Sequence, residues 1–255
     1  MKITFLGTGT SQGVPLIGCR CAVCTSTDPK DKRLRTSVMV EDGGSVFVID
    51  SGPDFRQQML REEVTGLDAI IFTHEHKDHI AGLDDVRAFN YLHDKHMDVY
   101  ASERVQQALK REFAYIFSGD DYPGIPKIAM HTIHHTVPFR IHNTDFIPVE
   151  ALHYKLPVLG FRIGGFSYVT DANFIADSEK DKIRNSEVLV INALRREKHV
   201  SHFSLDEALQ LIEELNPAQA YLIHISHQLG RHADLEKELP PRVHCAYDSL
   251  QLALN

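Results

Sequence analysis

Long apolar runs are missing from this chain. None approaches the ~20 residues that a membrane-spanning helix needs, so the sequence excludes a helical membrane protein. The start, Met1-Lys2-Ile3-Thr4-Phe5-Leu6-Gly7, reaches glycine too soon for the apolar region of a signal peptide, and a cytoplasmic protein is expected. Positive charge is also short. Lys and Arg number 27 against 35 Asp and Glu, a net charge of −8, so there is no basic footprint for broad nucleic-acid binding. Cysteine is scarce, with four in 255 residues, and gives no basis for a disulfide framework. Repeats, low-complexity tracts and obvious linkers are absent, which points to one domain over residues 1–255.

Histidine, by contrast, is plentiful at sixteen, and four potential metal ligands fall within six residues: His74, His76, Asp78 and His79. They follow the apolar run Asp68-Ala69-Ile70-Ile71-Phe72, so a strand delivers a ligand-rich turn. Such a turn can present His74 and His76 to one ion and Asp78 and His79 to another. Imidazole suits Zn, Fe or Ni, and a carboxylate admits harder ions such as Mn. A second cluster, Cys19-Arg20-Cys21-Ala22-Val23-Cys24, holds three thiols. Three close thiolates suit a tetrahedral Zn that needs one more N or S ligand, and His227 is the choice for it. The Cys21/Cys24 spacing also fits a redox pair, but the helix opening that such a motif needs is absent. Cys245 reads as a buried thiol in a strand.

Alternation predicts strands over 2–6, 37–41, 45–50, 128–134, 145–151, 158–163 and 166–170, with a hairpin turn at Asp42-Gly43-Gly44. Helices are expected over 55–64 and 102–113, the latter capped by Ser102. Ser204-Leu205-Asp206-Glu207 reads as a capping box opening a helix to Leu215. A buried strand over 218–223 ends at His224. Residues 118–127 have loop chemistry. The glycine-rich loop over residues 7–13 lacks the pattern of a dinucleotide site and reads mainly as a turn. His93, His96, His131, His134, His135, His142 and His232 fit no motif and are expected to be structural or exposed.

The stretch His74-x-His76-x-Asp78-His79 resembles the signature of the metallo-β-lactamase superfamily, and the resemblance spans about residues 1–230. It implies an α/β fold, a four-layer αβ/βα sandwich of two β-sheets with helices on the outer faces. It implies further ligands at His153, Asp171 and His224, and places Asp50 behind a ligand, orienting a histidine through its free ring N–H. The implied chemistry is metal-dependent hydrolysis at a dinuclear site with a bridging hydroxide. His74, His76 and His153 would hold one ion, Asp78, His79 and His224 the other, and Asp171 both. The cysteine cluster after a Gly-Thr-Gly loop is similar to the phosphoribosyl 1,2-cyclic phosphate phosphodiesterase branch, of the carbon–phosphorus lyase pathway. That branch implies a structural Zn on Cys19, Cys21, Cys24 and His227, and two catalytic ions that are Zn, Mn or Fe. It assigns catalysis to His202, as proton donor or phosphoryl stabiliser, beside the ligand Asp78. A capping role for His202 at the following helix stays open. The expected partner is a small phosphodiester with no membrane, and a homodimer is left open. Tyr115, Phe117 and Tyr122 are candidates for the substrate wall.

Three rival functions remain. A tRNase Z-like endonuclease would share the ligands, but its tRNA-gripping arm has no room in the 18 positions from His153 to Asp171. A thioester or lactone hydrolase could use the same pocket. A non-catalytic accessory protein of cofactor synthesis is the third, and a complete ligand set argues against it.

Overall fold

The computed structural model describes residues 1–119 and 122–254. The chain runs β1 (Lys2–Gly7), β2 (Ser37–Asp42), β3 (Ser45–Ile49), α1 (Phe55–Arg61), β4 (Ala69–Ile71), α2 (Lys77–Ile80), α3 (Arg87–His93), β5 (Met97–Ala101), α4 (Glu103–Glu112) and β6 (Ile128–Thr132). It continues through β7 (Phe139–Ile141), β8 (Thr144–His153), β9 (Leu156–Ile163), β10 (Phe166–Val169), β11 (Phe174–Ile175) and α5 (Asp177–Ile183). Then come β12 (Val188–Asn192), α6 (Leu205–Leu215), β13 (Gln219–Ile223), α7 (His232–Glu238), β14 (Val243–Cys245) and β15 (Gln251–Ala253).

The strands form two sheets. The first has the order β15-β1-β2-β3-β4-β5-β6 and the second β11-β8-β9-β10-β12-β13-β14, with β7 beside β8. Each sheet begins antiparallel and turns parallel: at β3–β4 in the first and at β10–β12 in the second. Parallel neighbours need a crossover; α1 supplies it between β3 and β4, and α5 between β10 and β12.

Side-chain alternation decides the layering. In the first sheet Phe5, Val38, Val40, Phe47, Ile49, Ala69 and Ile71 point inward to the second sheet, where Phe146, Phe161, Ile163, Tyr168 and Val190 meet them. The intervening Leu6, Met39, Val48 and Ile70 point outward beneath a layer that includes Phe55, Ile80, Phe89 and Leu109. On the far side Val169, Leu189, Ile191, Ala220 and Leu222 pack against Ile183, Ala208, Ile212 and Leu235. Two sheets with a helical layer outside each confirm the expected sandwich.

Most expected elements are present with shifted ends. The capping box forms with both of its bonds, and Ser102 caps α4 through the N–H of Val105. The first helix stops at Arg61 rather than 64. Strands β5 and β12 were not expected. In β12 every residue is buried, so the alternation that marks a half-exposed strand is missing; β5 does alternate, with Met97, Val99 and Ala101 buried and Asp98 and Tyr100 partly exposed, and its pattern went unread. Among the described residues no helix is long and apolar enough to cross a membrane.

Candidate metal centre

The parallel strands all deliver their carboxyl ends to one edge, where such folds gather ligands. Asp50 follows β3, His74 lies just past β4, Asp171 just past β10, and His224 directly after β13. His153 is the last residue of β8, and His202 lies two residues ahead of the α6 cap. Asp50, Asp171 and His224 all hold left-handed backbone, with φ of 65°, 55° and 54°. Non-glycine residues persist there only when the surroundings dictate it, and such sites cluster where function does. The turn carrying Asp78 is pressed against the loop after β3. A Cβ on Gly52 would fall 2.0 Å from the Asp78 carbonyl oxygen, so only glycine allows this approach.

The seven residues expected as ligands come together. Donor atoms of His74, His76 and His153 lie within 4.8 Å of one another, as do those of Asp78, His79, Asp171 and His224. His74, His79, Asp171 and His224 are buried, whereas His76 is exposed toward a cleft. Asp171 joins the groups: its Oδ2 lies 3.2 Å from His79 Nε2 and 3.1 Å from His224 Nδ1, and its Oδ1 lies 3.0 Å from His202 Nε2.

The hydrogen bonds behind these side chains fix which nitrogen faces inward. Asp50 is fully buried, accepts from the Thr73 N–H at 2.9 Å and hydroxyl at 2.8 Å, and takes the His79 Nδ1–H at 2.7 Å. The Thr73 hydroxyl, having donated to Asp50, accepts from His74 Nδ1 at 3.0 Å. His153 donates Nδ1–H to the Ser201 carbonyl at 2.8 Å. Each ring therefore turns a lone pair at Nε2 into the pocket. His74 Nε2, His79 Nε2 and His224 Nδ1 are buried without a hydrogen-bond partner. Buried lone pairs facing carboxylates are costly alone and favourable around a cation. The donor set therefore fits divalent ions.

The electrostatics agree. Burial first, and then the charge of His79, hold His74 well below the ordinary imidazole pKa. Burial lowers His224 to about 4 despite the neighbouring Asp171. Burial opposes charge on both His79 and Asp171. Even so, without a cation the carboxylates of Asp171, Asp78 and Asp50 hold His79 well above its usual range, and His224 and His79 hold Asp171 well below its own.

Beside the pocket lies an open cleft of about 730 Å³, lined by Glu75, His76, Arg104, Tyr154, Lys155 and Val200 among others. Arg104 binds Glu75 at 2.5 Å. Tyr115, Phe117 and Tyr122 do not line this cleft, which corrects the expected substrate wall. Tyr115 and Phe117 belong to a 3₁₀ turn after α4; the Tyr115 hydroxyl is engaged by Asp84, and Phe117 packs on the outer core of the first sheet. Residues 120 and 121 of that expected segment lie outside the described residues.

The second cluster also assembles. His227 Nδ1 lies 3.5 Å from Cys19 Sγ and 3.3 Å from Cys21 Sγ, and the three thiols and this imidazole share one 4.8 Å neighbourhood. The Cys24 N–H and then His227 lower the Cys21 thiol to about 6, while burial raises Cys24 to about 11. Cys245 is buried in β14, as expected. His134 and His135 are exposed, and His135 sits 3.5 Å from Glu150.

Sequence reasoning missed the supporting cast. Thr73 carries the Asp50–His74 relay, and Thr10 lies 3.3 Å from His224 Nε2, so the glycine-rich loop does more than turn. Asn192 clamps the residue after Asp171, accepting from the Ala172 N–H at 2.8 Å and donating to its carbonyl at 3.0 Å. A signal existed: Val188–Asn192 is an apolar run ending in a polar residue, the same pattern that marks Asp50 and His224.

Comparison with known proteins places the chain. The β-lactamase superfamily domain profile matches residues 46–225. A solved structure described as a new diphosphatase from the PhnP family superposes with a TM-score of 0.93 at 40% identity, covering 100% of this chain and 98% of that one. A Porphyromonas gingivalis protein named octanoyltransferase is 37% identical over 257 residues. That match takes in 100% of this chain but 52% of the relative, so the chain spans about half of that protein's length. Zn²⁺-bound PqqB from Methylobacterium extorquens, at a TM-score of 0.79 and 17% identity over 100% of both chains, shares the fold. With its two-sheet sandwich, its donor-lined pocket and these similarities, the chain belongs to the β-lactamase superfamily of metal-binding hydrolase folds, within the PhnP branch.

Proposed function

We propose that this protein hydrolyses small phosphodiesters, cyclic ones included, and related phosphoanhydrides. The observation that carries the reading is the position of His202. It is 9% exposed, with Nε2 3.0 Å from Asp171 Oδ1, at the rim of a seven-donor pocket. A proton donor so placed serves a leaving alkoxide, which phosphodiester chemistry produces and a stable leaving group does not need. The similarity to a protein described as a diphosphatase supports the same reaction class.

His74, His76 and His153 would hold one ion; Asp78, His79 and His224 would hold a second; the two oxygens of Asp171 would serve both. The donor set suits Zn, Mn or Fe. Bound ions would offset the charge of the phosphoryl oxygens and acidify the attacking water. The remaining work falls to the chain. Asp50 and Thr73 keep lone pairs of His79 and His74 turned inward. The Ser201 carbonyl does the same for His153. His202 carries the proton for the departing oxygen at Nε2. Lys155 gives the cleft positive charge for an anionic substrate, while Glu75 offsets the charge of Arg104. The cysteine cluster with His227 would hold a separate structural Zn.

The test is a screen of purified, metal-loaded protein against cyclic nucleotides, ribose cyclic phosphates, dinucleoside diphosphates, thioesters and lactones. Phosphodiester or phosphoanhydride turnover is expected. His202→Ala should lower the rate on alkyl leaving groups by about 10²–10⁴-fold and far less on p-nitrophenyl esters. The octanoyltransferase name belongs to a chain of which this one matches about half. Robust thioester turnover with no phosphoryl activity under Zn or Mn would overturn the proposal.

A further inference from the structure

We infer that His199 is a positioning residue for His202, holding its ring so that Nε2 is the nitrogen offered to the reaction. The inference rests on the proposed phosphoryl chemistry for its kinetic consequence, but not for its geometry. His199 lies three residues ahead of His202, and its Nδ1 is 3.1 Å from His202 Nδ1. Two nitrogens at that separation need one hydrogen between them. The backbone fixes which ring supplies it. The Ser201 N–H donates to His199 Nδ1 at 3.3 Å, so that atom carries a lone pair rather than a hydrogen, and the two contacts share it. His202 Nδ1 must then be the N–H partner. The Ser201 hydroxyl completes a small triangle, 3.1 Å from His202 Nδ1 and 3.3 Å from His199 Nδ1. It can accept a share of the His202 Nδ1–H, with its own hydrogen turned away from the already engaged His199 Nδ1.

The consequence lies at the other nitrogen. With Nδ1–H held by His199 and Ser201, the imidazole of His202 cannot rotate about its Cβ–Cγ bond without losing this bond. Nε2 stays directed at Asp171 and the pocket. The arrangement resembles the one behind His79, where Asp50 holds Nδ1, but it uses a neutral acceptor in place of a carboxylate. His199 also lines a small polar pocket of about 260 Å³ with Thr10, Gln12, Arg195 and Gln228, so its far edge meets solvent rather than the apolar core. Burial, and then the neighbouring His202 and Arg195, keep its own pKa below the ordinary value, which preserves the accepting lone pair.

The experiment compares His199→Phe with His199→Asn in zinc-loaded protein. Phe keeps the ring bulk and removes the acceptor; the Asn carbonyl restores an acceptor near the Nδ1 position. His199→Phe should lower kcat on an alkyl phosphodiester by about 10–100-fold, the range for removing a partner that orients a functional histidine. KM and the p-nitrophenyl rate should stay near wild type, and His199→Asn should recover most of the loss. In a His202→Ala background His199→Phe should cost nothing further. The ¹⁵N–¹H signal of His202 Nδ1, read without substrate, should lose its hydrogen-bonded shift in His199→Phe and regain it in His199→Asn. Equal losses on both substrate types, or an unchanged Nδ1 signal, would overturn the inference. An altered Nδ1 signal in a protein with no phosphoryl activity would sustain the positioning role and instead refute the proposed function. The His199→Phe/Ser201→Ala pair, which removes both partners of Nδ1, provides the stricter version, and wild-type kinetics in that double variant would also refute it.

Discussion

Replacing Asp50 by Asn should weaken metal binding while leaving the backbone intact. Asn is as short as Asp and tolerates the left-handed conformation that position 50 requires. What changes is hydrogen-bond direction. Asp50 receives three donors: the Thr73 N–H, the Thr73 hydroxyl and the His79 Nδ1–H. An amide presents one oxygen and one NH₂ group, so in either orientation the NH₂ meets a donor. If it faces His79, that ring must move its hydrogen to Nε2 and lose its ligating lone pair. If the Thr73 hydroxyl reverses, His74 is released as well, because its Nδ1–H depends on that oxygen. One mismatched buried donor costs about 1–3 kcal/mol, or about 5–150-fold in an equilibrium constant. That brackets the ~10–100-fold loss usual for removing a partner behind a metal-bound histidine. The assay is calorimetric titration of Mn²⁺ into chelator-stripped protein, since Mn²⁺ prefers the His/Asp pocket over thiolates. Asp50→Asn binding Mn²⁺ within threefold of wild type, with an unchanged melting temperature, would refute the relay.

Elemental analysis of zinc-loaded protein should find three ions per chain, two in the His/Asp pocket and one on the cysteines; a single ion after careful loading would contradict this. Cys21→Ser should lower the melting temperature but retain Mn²⁺ binding, whereas Asp171→Ala should abolish turnover with little loss of fold; a fully stable, inactive Cys21→Ser would reverse the assignment. In chelator-treated protein His224 should make stability fall as pH drops. Its pKa is lowered from 6.5 to about 4, so between those values the unfolded chain binds a proton that the folded one refuses. The contribution is whole above 6.5 and lost on descending to about 4. Melting curves of His224→Gln should be flatter across that window, and identical slopes would contradict the reading.

The turn from His74 to His79 was readable because it follows an apolar run, and His153, Asp171 and His224 through the resemblance to the superfamily; strand ends in this fold converge on one edge. His74 and His224 are the clearest cases. Their chemistry is local: a polar residue that ends a buried strand has to do something. The residues behind them were not readable, because their meaning is relational. Thr73 is an ordinary threonine until Asp50 and His74 lie on either side of it. His199 and His202 look alike in the chain, and only the Ser201 N–H tells acceptor from donor. The substrate wall failed for a similar reason. Aromatic side chains near 115–122 suggested a pocket, but the turn after α4 directs Phe117 onto the first sheet's outer core, while Tyr154, Lys155 and Val200 flank the cleft.

The pairing of His227 with the cysteines reaches beyond local structure. Cys19 and His227 are 208 positions apart, yet their side chains meet at 3.5 Å. An ion shared there would tie the first tenth of the chain to its last strands, in a protein whose four cysteines are all free. Closing so long a loop removes much of the freedom of the disordered chain, and this stabilisation grows only slowly, as the logarithm of loop length. Such a clasp acts most strongly on the unfolded ensemble. Chelators should therefore hasten heat inactivation, and reloading the ion should restore the slower rate, in the way that breaking and remaking a covalent cross-link would.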